Sequence, residues 1–306
     1  MPLPVNLLML MDELQRALSS LVSIDLTVVD QQQVTGGCIS EGCRVVTENR
    51  QRHQQGWFVK RNHKSFLDNF QAEADGLTRL AAAATVGTPH PEAIGVSGEQ
   101  AWLIMNWIDQ KPPGADFFRD LGAGLAEMHR CTSGTLIGLE RDNFLGAAKQ
   151  VNQPQDRWVD FVAESRLGFQ LRWGIDQQSI DGALRRNCER VIAGLDQFLD
   201  GRSENTSLLH GDLWSGNYLC DIEGRPVLID PAVYYGCREA EFGMLMLFGA
   251  CPAPFYDSYQ QVFPMNAGWQ RRVNVYVLYH LLNHLNLFGN GYHGQCQQMT
   301  EQILRA

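Results

Sequence analysis

Residues 208–235 read LLHGDLWSGNYLCDIEGRPVLIDPAVYY, and this stretch decides the fold. It sets Asp212 five residues before Asn217 and thirteen further on places Asp230. Phosphoryl-transfer enzymes of the kinase type use that order: a catalytic Asp, a metal-binding Asn five residues later, then a second metal-binding Asp. A carboxylate at Asp212 can accept the proton of an attacking hydroxyl. The Asn217 amide oxygen and the Asp230 carboxylate are hard ligands that suit Mg²⁺, which leaves further positions to substrate phosphates. Residues 218–222 and 226–230 read as short strands about the turn signal Glu223-Gly224-Arg225. Folding back there pairs Ile222 with Pro226 and Tyr218 with Asp230, which brings Asn217 and Asp230 to the open end of one hairpin. The plainer alternative is a surface hairpin whose Asn and Asp are only turn residues.

A phosphate-anchoring lysine is the next requirement. Trp57-Phe58-Val59-Lys60 reads as a strand ending at Lys60. The helix that follows has a capping-box-like start at Ser65 and Asp68, and an apolar stripe of Phe66, Phe70, Leu77 and Leu80 that also contains Glu73. A carboxylate on an apolar face is costly to bury unpaired, and Lys60 is its natural partner. Upstream, Val34–Gly42, with Gly36 and Gly37, reads as a loop that would let backbone N–H groups approach nucleotide phosphates. Downstream, an apolar strand over Ala101–Met105 runs into Asn106-Trp107 and then the break Lys111-Pro112-Pro113-Gly114. Met105, Asn106 and Trp107 are the expected hinge against adenine. The expected division is a nucleotide-binding lobe over residues 1–107 and a catalytic and acceptor-binding lobe over residues 108–306.

The set GGCIS (36–40), WFVK (57–60), LGAGLAEMH (121–129), HGDLWSGN (210–217), IDPAVYYG (229–236) and CRE (237–239) resembles the fructosamine kinase family. The resemblance spans about Gly36 to Tyr292. It implies a two-lobed protein-kinase-like α+β fold, with a small antiparallel-sheet lobe and a larger, mainly helical one. It also implies ATP- and Mg²⁺-dependent phosphorylation of a sugar hydroxyl on a ketosamine, either free or protein-bound, at the 3-hydroxyl. The product then breaks down spontaneously, so the activity repairs glycated amines. In this resemblance Asp212 is the proton acceptor, Asn217 and Asp230 hold the metal, and Lys60 with Glu73 anchors the nucleotide. Trp214 borders the acceptor sugar or supports the loop, and Tyr234, Tyr235 and Arg238 are further acceptor candidates. The segment Gln150–Leu171, with Asn152, Trp158, Phe161, Glu164 and Arg166, is shared too, and Trp158, Phe161 and Leu167 are read first as a packing face and second as selecting the substrate. One departure stands out. Where the family reads His-Arg-Glu and then Asp, this chain has Cys237-Arg238-Glu239 and Glu241. The acid there normally braces the catalytic loop, and Glu241 is one methylene longer.

Composition narrows the alternatives. A net charge of −9 over 306 residues argues against phosphate-backbone binding as the main task. No apolar run approaches membrane-spanning length, and the opening Val5–Met11 reads as an amphipathic helix start, not a signal peptide. Eight cysteines without C-x-x-C pairing suit a reduced, cytoplasmic chain, expected as a monomer or weak homodimer. Oxidation of Cys38 would obstruct ATP or link two subunits. Three rival readings stay open: a related kinase for an aminoglycoside or choline, a catalytically silent nucleotide-binding module, and a metal hydrolase built on His210, His280 and His284.

Overall fold

Short runs of β-branched and aromatic residues, Thr27-Val28-Val29, Val45-Val46-Thr47 and Trp57-Phe58-Val59 among them, form a sheet. A computed structural model describes residues 14–22, 26–34 and 39–305. Five antiparallel strands, β1 (Thr27–Val34), β2 (Glu41–Glu48), β3 (Gln54–His63), β4 (Pro91–Ser97) and β5 (Gln100–Asn106), stand in the order β1-β2-β3-β5-β4. The period of two along a strand sends successive side chains to opposite faces. One face carries Val45, Trp57, Val59, Trp102 and Ile104 against Leu14 and Leu18. The other carries Phe58, Ala101, Leu103 and Met105 against the helix α1 (Leu67–Ala83) through Phe70, Ala74 and Leu77. Lys60 is two residues on from Phe58, so it shares the α1 face.

Two local expectations change here. β3 continues three residues past Lys60 to His63, so Lys60 sits within a strand, paired with Gly42 on one side and Leu103 on the other. Ser65 does not cap α1. A 3₁₀ turn over Lys64–Phe66 precedes the helix, and it is the His63 ring that accepts from the Ser65 N–H. The readings at Gly36, Gly37, Cys38 and Val5–Met11 fall outside the described residues.

The two apolar clusters of the sheet reach no further than Met105. The larger cluster takes Leu80 from the end of α1 and then runs from Phe117 to Ile303. It is built mainly of helices: α2 (Phe117–Cys131), α3 (Trp158–Phe161) continuing through a π-helical segment, Val162–Gly168, into α4 (Phe169–Asp176), α5 (Gly182–Ala193), and α6 (Leu195–Phe198). After the hairpins come α7 (Glu241–Leu247), α8 (Ala253–Val262), α9 (Trp269–Phe288) and α10 (His293–Arg305). Trp158, Phe161 and Leu167 are all buried in this core, which is the packing role expected of them. Between the helices lie three two-stranded pieces, β6 (Asn143–Leu145) with β7 (Ala148–Gln150), β8 (Ser207–Leu209) with β11 (Tyr234–Gly236), and β9 (Tyr218–Cys220) with β10 (Pro226–Leu228). The architecture is a two-lobed α+β fold with an antiparallel N-terminal sheet. No helix among the described residues is long and apolar enough to cross a membrane.

The β9–β10 hairpin forms with a register two residues from the expected one, so Tyr218 faces Leu228 and not Asp230. The cause is the turn. Asp221 exchanges backbone bonds with Arg225 and Gly224, and its carboxylate also accepts from the Arg225 N–H at 2.8 Å. Gly224 supplies the positive φ that this three-residue connection needs. A shift of two keeps every side chain on its face.

Candidate active site

β8 delivers the chain into the loop His210–Gly216, and the loop is held from below by one carboxylate. Glu241, at the start of α7, accepts from the His210 N–H at 2.6 Å and from the Gly211 N–H at 3.0 Å. The longer side chain therefore reaches both donors, and the geometry of the brace is intact. Gly211 has φ +81°, and a Cβ there would lie 2.1 Å from the Ala232 carbonyl oxygen. Only glycine fits where these two chain segments touch.

Behind Glu241 stands a buried relay. His129 Nε2 lies 3.4 Å from Glu241 Oε2, and its Nδ1 lies 2.8 Å from the Tyr259 hydroxyl. Burial holds His129 below its ordinary pKa, and the same is true of His210. Both rings are therefore neutral at pH 7. His210 then carries its proton on Nε2, donating to Ile229 O at 2.8 Å, while Nδ1 accepts from the Asp212 N–H at 3.3 Å. Burial opposes a charge on Glu241, yet the hydrogen bond from His129 and the His210 backbone N–H hold its carboxyl below the usual value.

Asp212 is half-buried, and its Oδ1 has no hydrogen-bond partner. Asn217 Nδ2 donates to Asp212 O at 2.7 Å and to Oδ2 at 3.1 Å. That fixes the Asn217 amide with its oxygen free of this contact. Burial, then the nearby Asp230 charge, pushes the Asp212 carboxyl well above its ordinary range. The Ile229 N–H donates to Asn217 O at 3.0 Å, so the second strand of the hairpin is pinned to Asn217 one residue before Asp230. Asp230 itself is left-handed, φ +55°, a conformation Asp tolerates better than most residues and one that often marks functional positions.

The N-terminal lobe meets this site at Lys60. Its ammonium donates to Glu73 Oε1 at 2.8 Å and to Asp230 Oδ1 at 2.7 Å. Burial alone would lower the Lys60 pKa, but Asp230 and Glu73 together raise it, so it stays charged. Glu73 is half-buried, and desolvation of its carboxyl, with the Asp230 charge beside it, raises it to about 7 against the pull of Lys60.

The remaining expected residues are placed as follows. Asn106 N–H donates to His90 O and Trp107 N–H to Gly56 O, both at interstrand spacing, so these two donors are already engaged. Met105 is buried in β5. Trp214 is half-buried, with its ring 5.3 Å from Phe248. Tyr234 and Arg238 are each only 4 % exposed. Tyr234 stacks in the core on Trp158, and Arg238 donates to Phe263 O and lies 3.6 Å over the Phe263 ring. The site does not collect them. His280 and His284 lie in the buried helix α9, and His284 Nδ1 bonds its own helix at His280 O. The chain motif LGAGLAEMH contains His129, but nothing in its spacing announces a contact with a residue 112 positions later.

Two oxygen donors, Asn217 and Asp230, suit a hard cation whose shell is completed by phosphate oxygens. Among the described residues no group of three or more His, Cys, Asp or Glu side chains could hold a metal without such help.

A model of the fructosamine kinase family matches residues 10–306. A "Probable ketoamine kinase" of Synechocystis is 37 % identical over 305 residues, 99 % of this chain and 100 % of that one. A chloroplastic protein-ribulosamine 3-kinase of Arabidopsis thaliana is 35 % identical over 88 % of this chain and 82 % of its own. Among solved structures, a Haemophilus somnus protein assigned as a fructosamine-3-kinase superposes with a TM-score of 0.84 at 26 % identity, covering 96 % of this chain and 97 % of that one. An aminoglycoside phosphotransferase in complex with ADP and hygromycin B shares the fold at 16 % identity, with a TM-score of 0.64 over 96 % of this chain and 98 % of that one.

Proposed function

Since the chain belongs to the fructosamine kinase family, we propose that it transfers the γ-phosphoryl group of ATP to a sugar hydroxyl of a ketosamine, free or protein-bound. The observation that carries this is the junction at which the Lys60 ammonium bonds Glu73 and reaches across to Asp230, while the Asn217 amide bonds Asp212.

In the proposed reaction the acceptor hydroxyl binds the Asp212 carboxylate, whose Oδ1 is buried and has no other partner. Asp212 orients the hydroxyl and takes its proton as the oxygen bonds to the γ-phosphorus and the bond to ADP breaks. A carboxyl pushed upward is the better base for this, because its affinity for the proton lies closer to working pH. Lys60 neutralises the phosphates, held in place by Glu73. A bound Mg²⁺ would supply charge neutralisation for the phosphates. Asn217 and Asp230 would hold it, the first with its amide nitrogen fixed on Asp212. The adenine hinge is assigned to Met105–Trp107, where the N–H groups of Asn106 and Trp107 already bond His90 O and Gly56 O. Gly36 and Gly37 are assigned to the phosphate loop by resemblance alone. We set the lobe boundary after Trp107, assign Trp214 to the acceptor side, and assign Tyr234 and Arg238 to packing. The seven described cysteines are unpaired, which agrees with activity in the cytoplasm.

The deciding experiment measures ATP consumption with Mg²⁺ against fructosyl-lysine, ribulosyl-lysine, an aminoglycoside, choline and no acceptor. Turnover that requires a ketosamine is the expected result. Turnover with choline or the aminoglycoside alone would replace the substrate and keep the chemistry. ATP binding without turnover on any acceptor would sink the enzymatic reading.

A further inference from the structure

The chain just after Asp230 is held by groups that the reaction leaves untouched. Pro231 stiffens the backbone next to Asp230, and the following carbonyls, of Ala232 and Val233, enter a buried cluster of amides. Gln150 Nε2 donates to Ala232 O at 2.9 Å, and Asn143 Nδ2 donates to Val233 O at 2.7 Å. The Asn143 oxygen accepts from Gln150 at 2.8 Å and from Asn152 at 2.7 Å. The Asn152 oxygen in turn accepts from Arg166 Nη2 at 2.8 Å, and Tyr279 donates to Gln150 Oε1 at 2.9 Å.

Arg166 is an unusual origin for such a chain. It is 2 % exposed, and no carboxylate among the described residues pairs with it. Its charge is met instead by the Val151 and Ser165 carbonyls and by the faces of Tyr234, Phe161 and Tyr279, at 4.2, 4.4 and 5.5 Å from the ring centroids. Its Nε has no partner at all. A buried cation without a counter-charge is expensive, and a well-packed apolar residue would avoid the cost. Arg166 also sits on the π-helical segment Val162–Gly168, an element that is rare and concentrated at functional sites. Two unfavourable features thus coincide at the residue from which the amide chain starts.

We infer that Arg166 is a positioning residue for Asp230: through Asn152, Asn143 and Gln150 it fixes the two carbonyls that follow the metal-binding carboxylate. In protein kinases the matching segment switches between active and inactive placements. Here its carbonyls are captured by buried amides and its Ala232 N–H by His210 O at 2.8 Å, which leaves it one placement. The inference rests on the assignment of Asp230 as a metal ligand.

The test is Mn²⁺ binding, titrated in the presence of a non-hydrolysable ATP analogue, in four variants. Arg166→Lys keeps the charge but not the fork, and Gln150→Met keeps the volume but not the bond to Ala232 O. Both are expected to weaken Mn²⁺ by up to about tenfold, the lower end for groups that bond a metal ligand directly. Gln170→Leu removes an equally buried amide on the same continuous helix, where it bonds Asn283 and Asn286. It is expected to lower Tm with Mn²⁺ affinity unchanged. Folded Arg166→Lys or Gln150→Met protein with wild-type Mn²⁺ affinity would overturn the inference, as would an equal loss in Gln170→Leu. If Arg166→Lys does not fold, Gln150→Met decides. Asp230→Asn separates the two levels. Wild-type Mn²⁺ affinity in that variant removes the metal assignment itself, whereas loss there without loss in the others removes only the role of Arg166.

Discussion

Two segments meet at the active site, and they are supported in opposite ways. The catalytic loop rests on a single charged side chain, Glu241, whose two oxygens take the N–H groups of His210 and Gly211. The segment after Asp230 rests on a set of neutral amides, each making two or more bonds, with a cation only at the far end. A carboxylate suits the loop because backbone N–H groups need an acceptor, and an ionised acceptor bonds about twice as strongly as a neutral one. Amides suit the other segment because its exposed groups are carbonyls, and a buried carboxylate there would repel both them and Asp230. The difference teaches that support is concentrated where donors must be satisfied and distributed where acceptors must be. The two sides should also fail differently.

The largest effect sets the scale for both. Asp212→Asn leaves both supports in place and removes the proton acceptor, so kcat should fall by about 10²- to 10⁴-fold with nucleotide binding retained. Turnover near wild type would end the assignment. The acid limb of the kcat profile reports the same group. The Asp212 carboxyl is pushed upward, so it is protonated, and turnover lost, as pH falls through a value above the ordinary carboxylate pKa of about 4. A limb at or below that ordinary value would show that Asp212 is not the group in control.

Glu241 comes next, since a concentrated support has no reserve. Glu241→Gln puts an amide where two N–H donors and His129 need an acceptor, and leaves at least one buried donor unmatched. We expect a loss of about 1–3 kcal/mol in unfolding free energy, with kcat reduced more than the KM for ATP. Glu241→Asp introduces the acid that the family normally carries at this position. Here it should be harmful, because one methylene less withdraws the carboxylate from donors at 2.6 and 3.0 Å. If Glu241→Asp matches wild type, the loop follows the acid, and the support is less rigid than its geometry indicates.

The same contrast explains what the sequence discloses. Lys60 and Glu73 are legible because a carboxylate interrupts an apolar stripe, a local contradiction that demands a partner. Asn217 and Asp230 are legible by spacing, and their proximity survives a two-residue error in register because the shift preserves faces. The Asp221–Arg225 turn that causes the shift has no signal stronger than the neighbouring Glu223-Gly224-Arg225. Glu241 is legible as a departure, but the reach of its side chain is not. His129 and the amide cluster are hidden, since Asn143 meets Val233 across 90 positions and His129 meets Glu241 across 112. Buried polar residues with distant partners look, in sequence, like polar residues on loops. Tyr234 and Arg238 show the reverse error: residues beside a catalytic motif whose side chains turn into the core.

The smallest expected effect asks whether the two supports are independent. They touch through the Ala232 N–H bond to His210 O at 2.8 Å and the close approach of Gly211 to the Ala232 carbonyl, next to the β8–β11 pairing. Displacing either segment therefore strains the other through that contact. Glu241→Asp combined with Gln150→Met should depart from additivity in unfolding free energy by about 0.5 kcal/mol or more, the lower end for residues in one network. Additivity within a smaller margin would mean that the contact between His210 and Ala232 transmits nothing measurable. The catalytic loop and the metal-binding segment would then be two rigid pieces, each held by its own support and merely adjacent at His210.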